Sequence, residues 1–167
     1  MTLMATIANL CESEQLIWLD ALNGSSSLPQ RYFYASPELI RWVDEELPDH
    51  ARDHDARLSP AEQFVDLLEK IQMGERLNHD ADIKAISASA LGIWEFKTTD
   101  LRILGWFAAY DIFIGVTANM KKVMKQQRLS RPMKEAVLRF RESLPLDEPK
   151  HLQSTRVEDV LSTCHHT

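Results

Sequence analysis

Cysteine is scarce in these 167 residues: only Cys11 and Cys164 occur, near opposite ends of the chain and without the close pairs that build zinc sites. Such usage fits a reducing cytosol better than an oxidising compartment. Long apolar runs are missing too. The longest, residues 103–118, carries Tyr110 and Asp111 at its middle and falls short of the roughly 18 residues that suggest a membrane span, so it reads as a hairpin. The opening MTLMATIANLCESEQ has no basic n-region and no unbroken apolar stretch, which argues against a secretory signal or a membrane anchor. No glycine-rich phosphate loop, serine nucleophile elbow or deaminase signature occurs, which sets aside the chemistries those motifs serve.

What is present is enough for one core, since 44% of the residues are apolar. Net charge is −6, too acidic overall for a surface that binds nucleic acid everywhere. The mean hides an asymmetry. Residues 1–96 hold 7 basic and 17 acidic side chains, whereas residues 97–141 hold 10 basic and 3 acidic. One part of the protein is therefore suited to a polyanion while another repels it, although two solvated faces of opposite sign would look the same.

Periodicity sets the organisation. Leu16, Ile17, Leu19 and Leu22 predict a short amphipathic helix over residues 10–22, ending before Asn23-Gly24, and GSSSLPQ follows as a linker. Residues 31–34 are an aromatic strand candidate. Ser36 then caps a helix with Pro37 at its first position, burying Leu39, Ile40, Val43 and Leu47 and stopping before Pro48. The charged segment 49–58 reads as a surface connection. Its His50 and His54 are four apart but lack a third ligand, so a solvated acidic loop is the better reading than a metal site. Ser59 and Glu62 form a capping box for a second helix carrying Phe64, Leu67, Leu68 and Ile71, which Gly74 ends. The two helices are expected to form a hairpin. From Ile83 the period changes to two, and three apolar runs with short connections predict an antiparallel meander over residues 93–97, 101–107 and 112–116. The second run is so uniformly apolar that it is expected at the centre. A last helix over residues 129–143 turns Met133, Ala136, Val137 and Phe140 inward, and the tail from Pro145 is expected to be flexible.

Four segments in this order resemble the phage-derived Gp49-like branch of the HigB and RelE toxins, within the RelE/ParE superfamily: FYASPELIRWVDEEL, GIWEFK, DLRILGWF and GVTANMKKVMKQQRLSRPMKEAVLRF. The resemblance covers residues 31–143, leaving an N-terminal extension of residues 1–30 and the tail of residues 144–167 outside it. It implies an α+β fold, an antiparallel meander packed with an N-terminal helical hairpin and a C-terminal helix. It also implies the toxin of a type II toxin–antitoxin module, a cytoplasmic endoribonuclease that cuts translated messenger RNA without metal or cofactor, in or near the ribosome. Its partner would be a small helix-turn-helix antitoxin. Relatives on the same fold poison gyrase instead, so a non-catalytic binding protein is the alternative.

Cutting RNA without a metal requires a base for the 2′-hydroxyl, cations for the charge at phosphorus and a proton for the 5′-oxygen. Arg102 and Lys97 match the family's basic positions on adjacent strands and would serve the phosphate; Glu95 matches its glutamate, as a base or as the partner that orients them. Lys121 and Lys122 match its lysine pair, and Lys125, Arg128 and Arg131 extend the run that would hold an RNA backbone. Thr117-Ala118-Asn119 stands where the family has a histidine or an aromatic residue and offers no neutral-pH acid or base. His79, which precedes the sheet, is the candidate to fill that gap, although a lone loop histidine is more often simply exposed.

Overall fold

The computed structural model describes residues 5–22, 28–52 and 55–162. It is an α+β structure around one six-stranded mixed sheet. The strands, in chain order, are β1 (Ile17–Trp18), β2 (Tyr32–Ala35), β3 (Ile83–Ala85), β4 (Trp94–Lys97), β5 (Leu101–Ala109) and β6 (Ile112–Met120), in the spatial order β1-β2-β6-β5-β4-β3. β4, β5 and β6 form the expected antiparallel meander, and β3 extends it. β2 instead lies parallel to β6, so the sheet as a whole is mixed rather than antiparallel.

The apolarity of the central strands follows from burial on both faces. Leu101, Ile103, Phe107, Phe113 and Ala118 join one core with Leu39 of α2 (Pro37–Arg41) and with Phe64, Leu67 and Ile71 of α3 (Pro60–Gln72). Leu104, Trp106, Ile114 and Val116 join a second core with Leu10 of α1 (Ile7–Glu12) and with Met133 and Val137 of α5 (Ser130–Ser143). Gly105 and Gly115 face each other where the register of β5 and β6 shifts. A Cβ on Gly105 would run into the Ile114 carbonyl oxygen, and one on Gly115 into the Phe33 ring and Leu39.

Local signals place the helices as expected. Ser36 accepts the Leu39 N–H at 3.1 Å and also donates to the Val116 carbonyl at 2.7 Å, which pins the start of α2 to β6. Beyond α2 the chain continues through a π-turn over Trp42–Glu46 and a 3-10 turn over Leu47–Asp49, so Pro48 sits inside helical backbone. Trp42 and Leu47 are buried there with Leu39, in the same core as α3. Ser59 and Glu62 exchange both bonds of their capping box.

Two further sequence expectations do not hold. Residues 10–22 are not one helix: α1 ends at Glu12, Glu14 takes a left-handed conformation (φ 60°), and Ile17 pairs with Ala35 across β1 and β2. Leu10 and Leu16 are buried, so the segment belongs to the sheet and its second core rather than standing apart as an extension. Most of the GSSSLPQ linker, and His54, lie outside the described residues. Nor do residues 144–162 trail away from the fold. Leu144 and Leu146 enter the second core and Val157, Val160 and Leu161 the first. The Leu152 N–H donates to the Phe107 carbonyl, and the buried Arg31 donates to the carbonyls of Glu75 and Ser162. These apolar residues are too scattered to show a period, and they take their meaning from the concave surface they fill. Among the described residues, no helix is long and apolar enough to cross a membrane.

Because Leu161 is 2% exposed, Leu161→Ala should cost about 2–4 kcal/mol in a urea titration. A loss under about 0.5 kcal/mol, the usual effect of a solvated side chain, would show that the segment does not hold the fold.

Candidate functional site

Alternation along the strands gathers the polar residues of interest. Glu95 stands between Trp94 and Phe96, and Arg102 between Leu101 and Ile103, all four of which belong to the first core. Period two therefore sends Glu95, Lys97 and Arg102 to the opposite face. Lys97 and Arg102 are direct cross-strand partners on either side of the Thr98-Thr99-Asp100 turn. Gln63, a buried residue of α3, brackets that turn. Its carbonyl oxygen accepts from the Thr98 hydroxyl at 2.7 Å and from the Asp100 N–H at 2.9 Å, and its amide donates to the Asp100 carboxylate at 2.7 Å.

The turn in turn sets Arg102. Its Nη1 donates to the carbonyls of Thr98 at 2.8 Å and Leu101 at 2.7 Å, while its Nε lies 3.9 Å from Glu95 Oε1. The guanidinium is thus held by backbone rather than by the long ion pair, and it is preoriented. Both side chains are largely shielded, 15% exposed for Arg102 and 12% for Glu95. Burial pushes the Glu95 carboxyl above the usual carboxylate range, outweighing the opposite pull of Arg102, Lys97, Lys84 and Lys134. Burial likewise lowers the Arg102 guanidinium from its ordinary value, against the influence of Glu95 and Asp100.

Helix α4 (Lys121–Gln127) closes the site. The Lys121 N–H donates to the Asp100 carbonyl at 2.7 Å, docking the helix on the same turn. Arg128, in a left-handed conformation (φ 53°), ends α4 and redirects the chain into α5. The result is a hollow of about 240 Å³ lined by Glu95, Arg102, Lys121, Met124, Lys125 and Ser130. A shielded carboxyl with a raised pKa and a fixed guanidinium border it together with the side chains of Lys121 and Lys125, while the cations whose field reaches Glu95 are Arg102, Lys97, Lys84 and Lys134. Such a set can hold an anion and exchange a proton beside it.

The other sequence candidates separate from this hollow. Lys97 turns its ammonium to the Asp80 carbonyl at 3.0 Å and lines a different depression, with Arg57, Asp66, Lys70 and Asp82. His79 accompanies it, pairing with Asp80 at 3.3 Å. Arg131 is neutralised by Glu135 at 3.1 Å, and neither it nor Arg128 borders the hollow. Lys122 lines a larger cleft on the other side of α4, with His50, Ala51, Arg52, Thr99, Asp100, Met120, Lys121 and Lys125. His50 also stacks against Trp42 and reaches the depression lined by Thr117, Ala118 and Asn119. An imidazole thus stands beside the segment that lacks one. Its place within an acidic, apolar-poor stretch gave no sign of this. Among the described residues, no three histidine, cysteine, aspartate or glutamate side chains converge as a metal set.

The raised Glu95 pKa sets a sign for stability. The folded state holds its proton more tightly than the unfolded chain, so stability falls as pH rises from the ordinary glutamate value of about 4.3 through the higher folded value. Glu95→Gln should flatten that fall and raise Tm at neutral pH, followed by thermal denaturation across pH 4 to 8. A lower Tm at neutral pH would mean that the charged pair with Arg102 outweighs burial. Comparison with protein-family models, characterised proteins and solved structures finds no match for this chain.

Proposed function

We propose that this chain is the toxin of a type II toxin–antitoxin module, an endoribonuclease of the RelE/HigB kind that cuts translated messenger RNA. The observation that carries the reading is that Arg102, Lys121 and Lys125 line one hollow with Glu95. The order of elements from residue 31 to residue 143 supports it: an opening strand, two helices, a short strand β3 that extends a three-stranded meander, a basic segment and a closing helix.

In this mechanism Glu95 takes the proton of a 2′-hydroxyl, whose oxygen then attacks the adjacent phosphorus. Burial that raises its pKa makes the carboxylate a stronger base than an exposed glutamate. Arg102, Lys121 and Lys125 hold the phosphate oxygens and stabilise the charge that grows on them. The bond to the 5′-oxygen breaks, that oxygen receives a proton from water while the Glu95 proton returns to solvent, and a cyclic phosphate remains on the other fragment. The reaction uses side-chain cations in place of a metal. Lys97 acts on Glu95 only through its field. A cytoplasmic setting, ribosome-associated substrate and a small helix-turn-helix antitoxin over the basic face belong to the same reading.

The alternative is a binding protein without catalysis, gyrase-directed or derived from an inactive mobile element. Two features favour it: among the described residues no imidazole or phenol borders the Glu95 hollow, and Arg102 Nη1 is already committed to backbone carbonyls. Mapping new RNA 5′ ends soon after induction in a bacterial host separates the two. Wild type should create ends inside coding regions, and Arg102→Ala should reduce them about 100-fold or more while folding normally. Undiminished cleavage by the variant removes Arg102 from the mechanism. No new ends from soluble wild-type protein would favour the binding reading.

A further inference from the structure

A cleft of about 700 Å³ lies on the far side of α4. Among the described residues it is lined by four cations, Arg52, Lys121, Lys122 and Lys125, and by one carboxylate, Asp100. That carboxylate is already engaged, because Asp100 Oδ2 accepts from the Gln63 amide at 2.7 Å.

Some cations elsewhere on the surface are paired. Arg41, Lys70, Arg131 and Arg156 each meet a neighbouring carboxylate. Among the described residues, the ammonium groups of Lys121, Lys122 and Lys125 meet none, and Arg52 makes a single long contact, at 3.5 Å, to the Arg57 carbonyl. Positive charge that the protein leaves uncompensated in a recess is what a phosphate-bearing ligand would neutralise, with release of its counterions.

The cleft is also continuous with the candidate site. Lys121 and Lys125, one helical turn apart, line both the cleft and the Glu95–Arg102 hollow, so α4 forms a ridge with a cationic recess on each flank. A ligand that fills both recesses must bend sharply over one helix. Duplex nucleic acid, with a persistence length of about 50 nm, does not do that cheaply, whereas a single strand does.

We propose that the cleft is a second phosphate-binding subsite for single-stranded polynucleotide, with Arg52 and Lys122 as its distinguishing cations, so that one strand crosses α4 between the two recesses. It rests on the polyanion-binding part of the function proposed above and does not depend on cleavage.

Fluorescence anisotropy with labelled 2′-O-methyl RNA tests it, since that backbone cannot be cut through the 2′-oxygen. The probes are a single-stranded 12-mer and a 3-mer. Arg52→Ala and Lys122→Ala should each weaken the 12-mer about 10-fold, reduce its salt slope by about 0.7, and leave the 3-mer unchanged. Arg102→Ala should weaken both probes. Arg156→Ala, which removes an equal charge already paired with Glu158, should change neither. Wild-type affinity and slope for the 12-mer in Arg52→Ala and Lys122→Ala, beside weakened Arg102→Ala, would overturn the second subsite and leave the first. A 3-mer that binds as tightly as the 12-mer would also overturn it. Wild type that binds the 12-mer as described yet cuts no unmodified RNA would sustain the subsite and remove the nuclease. Wild type that binds neither probe would overturn both.

Discussion

Everything else in this fold depends on burying the β5–β6 pair on both faces. Two nine-residue strands with apolar side chains on each side need a cover above and below, and no single helical layer supplies that. Helices α2 and α3 cover one face, with Val157, Val160 and Leu161 completing it; α1, α5 and residues 144–146 cover the other. The close approach at Gly105 and Gly115 is part of the same constraint, because backbone and the Phe33 ring occupy the space where side chains would stand.

The candidate site is what this packing leaves at one end of the pair. There the strands run past their covers, and side chains that alternate away from the first core emerge at the edge of the second. Gln63 transmits the position of α3 to the β4–β5 turn, the turn's carbonyls orient Arg102, and its Asp100 carbonyl docks α4. A guanidinium held by fixed dipoles needs little reorganisation to meet an anion, which is why the arrangement reads as a site rather than as a patch of charge. Glu95 is kept out of water by the same covering helices, and its raised pKa is the consequence.

Charge is distributed by the same logic. Of the basic residues of 97–141, Arg102, Lys121, Lys122 and Lys125 line the two recesses flanking α4, Lys97 lies in a separate depression, Arg131 pairs with Glu135 and Arg141 stacks over Trp106. The chain's net −6 therefore says little about the local field, since acidic side chains such as Glu45, Glu46 and Asp66 sit in surface ion pairs elsewhere.

Local chemistry was legible in the sequence. The caps at Ser36 and at Ser59 with Glu62, the three meander strands and the helix over residues 130–143 depend on contacts within a few residues, and their patterns are written there. Residues 10–22 misled because Leu16 and Ile17 fit a helical stripe equally well, and the left-handed Glu14 and the pairing with β2 decided between the alternatives. Period two also placed Glu95, Lys97 and Arg102 on one face. It did not separate Lys97, whose ammonium turns to Asp80 only because the loop before β3 lies against β4. By itself, then, the sequence determined the α+β class of the fold, the starts of α2, α3 and α5, the three meander strands and the basic character of residues 97–141, all properties of short segments. Only the tertiary structure decided the parallel β2–β6 pairing, the incorporation of residues 144–162 and the union of Arg52 and His50 with α4. Each of those joins residues whose separation along the chain carries no pattern, and is selected by the shape and burial of the surfaces that meet.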